Sequence, residues 1–136
     1  MSKPTLGIIG GGQLGSMLSI AAKKLEIKTV IFCDNLDAPA QKFSDHFIHG
    51  SYDDIKKINE FLNKTDVITY EFENIPYQTL NTINKSKPVL PKPSVNRIVQ
   101  HRLAEKDFIN KLNIRTTMYS SVEDKSEINS MQDLLP

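Results

Sequence analysis

Six residues near the amino terminus, Gly10-Gly11-Gly12-Gln13-Leu14-Gly15, match the pattern G-x-G-x-x-G. Gly10 permits a tight turn, Gly12 lets an anion approach the backbone, and Gly15 lets a helix pack closely against a strand. A helix that begins here would carry N–H groups without partners and a partial positive charge. The loop is therefore predicted to hold a phosphate or another oxygen-rich group of a ligand.

The glycine loop alone does not identify the ligand. Asp34 lies about 20 residues beyond the loop, where a dinucleotide-binding fold carries the acid that binds a ribose. A nicotinamide or flavin dinucleotide, another phosphate ligand, and a purely structural glycine turn with a solvated Asp34 therefore all remain open at this point.

A second candidate site is the acidic pair Glu71 and Glu73 in the segment Tyr-Glu-Phe-Glu-Asn-Ile-Pro, residues 70–76. Side chains two residues apart on an extended chain point the same way. Paired carboxylates could hold hydroxyl groups or an amine of a ligand, which would offset their mutual repulsion. The alternative is a solvated turn, in which Glu73 is stabilised by the dipole of a following helix.

Apolar and β-branched runs predict the strands that would position these residues. We expect strands at 5–9, 28–32, 46–49 and 66–70, and a weak strand at 88–90 between prolines. The first strand, glycine turn, helix and second strand form a right-handed βαβ unit, which predicts an α/β fold with a parallel sheet. The acidic segment then follows a strand at the edge where such sheets bind ligands.

Helical spacing predicts four helices. The first, 13–25, would bury Leu14, Met17, Leu18, Ala21, Ala22 and Leu25. The second, capped by Asp53 or Asp54, would bury Ile55, Ile58, Phe61 and Leu62. Asn74 would cap a third helix, with Pro76 in its first turn, that runs to about residue 84. Ser94 would cap a long fourth helix. That helix would bury Val95, Ile98, Val99, Leu103, Phe108 and Leu112. A strand is expected after it, at 116–119.

The composition is that of an ordinary globular domain, because 39% of the 136 residues are apolar and 24% are charged. The net charge of +1 gives no electrostatic footprint for nucleic acid or an anionic membrane. Cys33 is the single cysteine, so an internal disulfide is excluded and a reducing cytoplasm is favoured. Its side chain is expected to be a small, buried, apolar group. No metal site is predicted, because His46, His49 and His101 lack zinc-site spacing.

Three motifs together resemble the N-terminal part of the N5-carboxyaminoimidazole ribonucleotide synthetases. They are the glycine loop, the segment 70–76, and Gln-His-Arg-Leu-Ala-Glu-Lys at 100–106. These enzymes are the ATPase subunits of phosphoribosylaminoimidazole carboxylase and belong to the ATP-grasp superfamily. The resemblance runs from about residue 5 to about residue 119, and the order of the motifs makes it more specific than the loop alone.

The resemblance implies a Rossmann-like, pre-ATP-grasp sheet with helices on both faces, followed by a helix that leads into a truncated ATP-grasp domain. It divides the chain at 1–93 and 94–136. By this resemblance Gly12, Gln13 and Leu14 line the site for 5-aminoimidazole ribonucleotide, and Glu71 hydrogen-bonds to that substrate. Glu73 is a secondary candidate for the same site.

The resemblance also implies that Arg102 reaches a phosphate of ATP, a task that suits its planar fork of donors. Lys106 is a weaker candidate on the same helix face, four residues further on. The alternative is an exposed arginine paired with Glu105 or Asp107.

Two positions depart from the family pattern. Ser16 stands where these synthetases often have arginine, and His101 stands where they have the aspartate of Asp-Arg-Leu. A contact near the glycine loop is therefore lost or replaced, and the role of His101 is open.

The implied reaction uses ATP and Mg²⁺ to activate bicarbonate as carboxyphosphate, whose carboxyl group passes to the amine of the ribonucleotide. The resemblance also suggests a cytoplasmic homodimer. The magnesium ligands are expected beyond residue 136, and Leu134-Leu135-Pro136 ends without a turn or cap, as in a truncated polypeptide. The full protein would then be a ligase of purine biosynthesis, and this chain alone would be inactive.

Three other functions stay open at this level. The chain could be the NAD(P)-binding domain of an oxidoreductase, which tight NADH binding would indicate. It could be a complete, non-enzymatic nucleotide-binding domain. A formate-dependent glycinamide ribonucleotide transformylase shares the architecture, although the segment 70–76 fits it less well.

Overall fold

Four parallel strands form the sheet of the first of two units. In the computed structural model, which describes residues 3–128, the chain divides into the units Met1–Arg97 and Ile98–Pro136. The strands are β1 (Leu6–Ile9), β2 (Thr29–Cys33), β3 (His46–His49) and β4 (Val67–Tyr70), and their order in the sheet is β3-β2-β1-β4. All pairings are parallel, so the carboxyl ends of the strands lie at one edge. The predicted α/β fold is confirmed.

Helices cover both faces of this sheet. They are α1 (Gln13–Lys24), α2 (Ile55–Lys64) and α3 (Tyr77–Asn84), with a short 3-10 helix at Pro39–Lys42. Side chains of β2 alternate between two apolar clusters, because successive strand residues point to opposite faces. Val30 and Phe32 join a cluster with residues of α2 and α3, whereas Ile31 and Cys33 pack with Ala38 and Ala40. The prediction that Cys33 is a small buried side chain is confirmed.

The buried face of α1 differs from the prediction. The residues that it buries are small: Gly15, Ser16, Ser19 and Ala22. Of the face predicted to be buried, Ala22 alone is inside, whereas Leu14 is 53% and Met17 is 58% exposed. The helix lies close to its neighbours, since a methyl group on Gly15 would be 3.0 Å from the carbonyl oxygen of Gly10. Small side chains permit this approach and bulky ones do not.

The other two helices of the first unit begin differently from each other. Asp54 caps α2, as predicted, and accepts the N–H groups of Lys56 and Lys57. The predicted Asn74 cap of α3 is wrong, because Pro76 is the N-cap residue and α3 begins at Tyr77. The proline fixes the backbone for helix entry without a side-chain cap.

The weak strand predicted at 88–90 is reduced to one bridge, between Ile68 and Val89. Ile68 N–H donates to the carbonyl of Pro88, and Leu90 N–H donates to the carbonyl of Ile68. Pro88 and Pro91 have no N–H to extend the ladder, which explains why it stops.

The single long helix predicted from Ser94 is two helices, α4 (Pro93–Val99) and α5 (Arg102–Lys111). His101 separates them in an extended conformation, and its Nδ1 accepts the N–H of Ala104. A side chain that caps a new helix ends the previous one locally. The predicted burial of Val95, Phe108 and Leu112 is wrong, since all three side chains are exposed. Residues 116–119 form no strand, and the predicted chain end at 134–136 lies outside the described residues.

Candidate functional site at the carboxyl edge of the sheet

The carboxylate of Glu71 lies against the glycine loop. Glu71 follows β4, and its backbone N–H donates to the carbonyl of Ile9 at the end of β1. Its Oε1 accepts the N–H of Gly12 at 2.7 Å, and its Oε2 accepts the N–H of Gly15 at 2.9 Å. Both oxygens therefore bind donors that the sequence assigned to a ligand.

These two donors are the ones that a capping box normally satisfies. Gly12 is the N-cap residue of α1 and has no side chain to accept the N–H of Gly15, three residues on. Glu71 supplies both missing interactions from a distant part of the chain, and its negative charge suits the helix N-terminus. The expected hydrogen bond from Glu71 to a substrate stays a prediction, but the carboxylate already has a structural role.

The glycines of the loop make room for the chain itself. Gly10 has a φ of 103°, a left-handed conformation that favours glycine. A methyl group on Gly12 would lie 2.8 Å from Oε1 of Glu71, and one on Gly11 would lie 2.6 Å from Cβ of Ala38. The close approach predicted at Gly12 therefore exists, but the approaching anion is Glu71.

The outer side of the loop is formed by Gln13 and Leu14, which are both exposed. In the described range 3–128, no acceptor is recorded for the backbone N–H of either residue. The first turn of α1 thus divides its donors: Gly12 and Gly15 bind Glu71, whereas Gln13 and Leu14 remain for solvent or a ligand.

Glu71 and Glu73 do not form a pair on an extended strand. The strand β4 ends at Tyr70 and the chain then bends, so alternation along a strand no longer orients these side chains. Glu71 is half-buried on the loop and Glu73 is exposed. The prediction that the two carboxylates point the same way because the chain is extended is therefore wrong.

A buried polar contact that the sequence analysis missed lies at the same edge. The hydroxyl of Tyr52 donates to Sγ of Cys33 at 3.9 Å, and its ring packs edge-on against Phe32 at 5.5 Å. Burial is the main cause that raises the pKa of Tyr52, and nearby Cys33 and Asp34 raise it further. Tyr52 is therefore a neutral donor. No motif surrounds it in the sequence, so only its position after β3 could have indicated this role.

The family departure at Ser16 has a local explanation. Ser16 is buried, and its hydroxyl donates to the carbonyl of Gly12 at 3.1 Å. His101, where the resemblance leads us to expect an aspartate, is the N-cap of α5, a position where an acceptor side chain is preferred.

In the second unit, Arg102 and Lys106 line one cavity of about 250 Å³ with Leu103, Tyr119, Ser120 and Ser121. Arg102 pairs with Glu105 at 2.7 Å, which is one of the alternatives left open by the sequence. Lys106 donates to Oγ1 of Thr117 at 2.7 Å and lies 5.1 Å from the centre of the Tyr119 ring. The two predicted ATP residues therefore share a cavity, and their binding role stays a prediction.

The described residues form neither a metal-binding cluster nor a membrane-spanning helix. No group of three or more His, Cys, Asp and Glu side chains within 3–128 could hold a metal ion. Over that same range, no helix is long and apolar enough to cross a membrane.

Comparison with known proteins identifies the relatives of this chain. A family model described as the ribonucleotide synthetase preATP-grasp domain matches residues 3–100. The N5-carboxyaminoimidazole ribonucleotide synthase of Brucella melitensis is 40% identical over 124 residues, which are 91% of this chain and 34% of that protein. A corresponding synthase of Staphylococcus aureus is 35% identical over 131 residues.

Solved structures agree with these sequence matches. The crystal structure of N5-carboxyaminoimidazole synthetase from Staphylococcus aureus complexed with ADP matches with a TM-score of 0.87 and 35% identity. The match covers 97% of this chain and 35% of that structure. The chain therefore spans about a third of the length of the curated synthases and solved structures that it resembles.

Proposed function

Since this chain belongs to the family of ribonucleotide synthetase preATP-grasp domains, we propose that it binds the ribonucleotide substrate of an N5-carboxyaminoimidazole ribonucleotide synthase. The whole enzyme would carboxylate 5-aminoimidazole ribonucleotide with bicarbonate and ATP in purine biosynthesis. The names of relatives that are 35–40% identical support this reaction.

The proposal rests on the backbone N–H groups at the start of α1, of which those of Gly12 and Gly15 bind Glu71 and those of Gln13 and Leu14 do not. Gly12 brings the loop to the carboxyl edge of the sheet, and Gln13 and Leu14 are exposed there. Their N–H groups and the amide of Gln13 suit oxygens of a ribose or a phosphate. The exposed carboxylate of Glu73 suits ribose hydroxyls or the exocyclic amine. Gln13, Leu14 and Glu73 are thus the proposed contacts, whereas Gly12 and Glu71 bind each other and position the loop.

We assign the ATP side to the second unit. Arg102 and Lys106 line one cavity and supply two positive charges, which suit the phosphates of a nucleotide. Magnesium would neutralise phosphate charge during transfer, but residues 3–128 offer no cluster to hold it. The proposal therefore assigns magnesium and bicarbonate to other parts of a longer synthase, which would be a cytoplasmic homodimer. It also predicts no ATP turnover by this chain alone.

Isothermal titration calorimetry with 5-aminoimidazole ribonucleotide tests this assignment. Glu73→Gln removes a charged acceptor and should weaken binding at least about tenfold, since a hydrogen bond to a charged group contributes about 1.5–3 kcal/mol. Glu60→Gln is the matched control, because Glu60 lies on α2 and pairs with Lys57. Its affinity should equal that of the unchanged chain.

Two results would overturn the proposal. One is equal binding of the ribonucleotide by Glu73→Gln and the unchanged chain. The other is tight, saturable binding of NADH in the same calorimeter, which would favour the oxidoreductase alternative.

A further inference from the structure

The anion that occupies the glycine loop belongs to the protein. Oε1 and Oε2 of Glu71 accept the N–H groups of Gly12 and Gly15 at 2.7 and 2.9 Å. In a dinucleotide-binding fold, the N–H groups at this helix N-terminus bind the pyrophosphate of the ligand. Here a carboxylate from the same chain binds these N–H groups. Because it is part of the chain, it competes with a free ligand at a high effective concentration.

A phosphate that approached Gly12 would meet two obstacles. The first is charge, because two anions at hydrogen-bond distance repel each other. The second is space, since even a methyl group on Gly12 would lie only 2.8 Å from Oε1 of Glu71. A methyl group on Gly10 would also contact the Glu71 side chain.

We propose that Glu71 is a specificity-determining and positioning residue, which closes the inner side of the glycine loop to phosphate and pyrophosphate groups. The loop then excludes dinucleotides although it matches their sequence pattern. A ligand is left with the outer side, at Gln13 and Leu14. The inference does not depend on the proposed function, since it rests on contacts within the first unit alone.

Calorimetric titration with inorganic pyrophosphate tests the inference. The unchanged chain should bind pyrophosphate only as tightly as its other candidate sites allow, which are the cavity of Arg102 and Lys106 and the outer side of the loop, and Glu71→Ala leaves both of these sites intact. Glu71→Ala removes the competing carboxylate and frees both N–H groups, so it should bind pyrophosphate at least about tenfold more tightly than the unchanged chain. Glu60→Gln also removes one negative charge and should behave like the unchanged chain. Equal pyrophosphate affinity of Glu71→Ala and the unchanged chain would overturn the proposal.

A second measurement needs no variant at position 71. In ¹H–¹⁵N spectra of the unchanged chain, the amide signals of Gly12 and Gly15 should not move when pyrophosphate is added. A saturable shift of either signal that exceeds the shifts of Gln13 and Leu14 would show that the inner side is open and would overturn the proposal even if Glu71→Ala does not fold. Neither result would decide whether Glu73 contacts a ribonucleotide, so the two proposals can fail separately.

Discussion

Individual residues at the carboxyl edge divide into buried or half-buried groups, which shape the edge, and groups that are exposed to solvent. Glu71 stabilises the start of α1 from a position 59 residues after Gly12 in the sequence. Tyr52 donates to Cys33 inside the fold. Gln13, Leu14 and Glu73 are exposed at the same edge. Glu71 therefore fixes the loop, and in the proposed function the exposed residues contact the substrate.

The stability of the chain should fall above about pH 10, and part of that fall should come from Tyr52. Burial raises its pKa in the folded state above the usual value of 10.0, so the unfolded state releases this proton first. The stabilisation is complete below pH 10 and is lost as the pH rises further. Thermal unfolding from pH 8 to 11 should show a smaller loss for Tyr52→Phe than for the unchanged chain.

Tyr77→Phe is the control for this measurement, because it removes a tyrosine hydroxyl at a different place. Tyr77 is the first residue of α3, and Arg97 of α4 lies over its ring. Its alkaline loss of stability should match that of the unchanged chain. If Tyr52→Phe showed that same loss, the proposed cause would be wrong.

Among the elements, α1 shows how close packing against the sheet determines which face of a helix is buried. Its small side chains face inward, and its large apolar side chains face outward. The glycine loop can reach the sheet edge only because Gly15 allows close contact with the backbone of Gly10. The orientation of α1 and the position of Gln13 and Leu14 are therefore consequences of the same packing.

The same substitution at two positions of α1 tests this orientation. Met17→Gln should change the free energy of unfolding by less than about 0.5 kcal/mol, because Met17 is 58% exposed. Ala22→Gln should cost about 1–3 kcal/mol or more, because Ala22 is 5% exposed and its neighbours leave no room for an amide. Urea denaturation measures both values. Equal losses, or a larger loss for Met17→Gln, would contradict this orientation of α1.

The sequence predicted the four strands of the sheet because apolar, β-branched runs form buried strands in most contexts, whereas the strand predicted at 116–119 does not form. The predicted strand at 28–32, for example, is observed at Thr29–Cys33. It did not predict the buried face of α1, since hydrophobicity alone does not measure the available space. The break at His101 and the Glu71 cap were also missed, because each depends on side-chain hydrogen bonds whose partners the spacing does not reveal.

At the scale of the whole molecule, the chain belongs to the ribonucleotide synthetase preATP-grasp family through residues 3–100, and it spans about a third of the length of the curated synthases that it matches. The first unit carries the glycine loop and Glu73, and the second unit carries Arg102 and Lys106. This arrangement assigns the acceptor substrate to the first unit and ATP to the second in the proposed reaction.

The most direct test of the central claim is a residue-resolved ¹H–¹⁵N titration of the 136-residue chain with 5-aminoimidazole ribonucleotide. The account predicts saturable shifts that are largest at the amides of Gln13, Leu14 and Glu73. The amide of Asp34, where a dinucleotide ribose would bind, should shift less. Absence of a saturable shift, or shifts centred on Asp34, would contradict the claim that this edge binds the ribonucleotide.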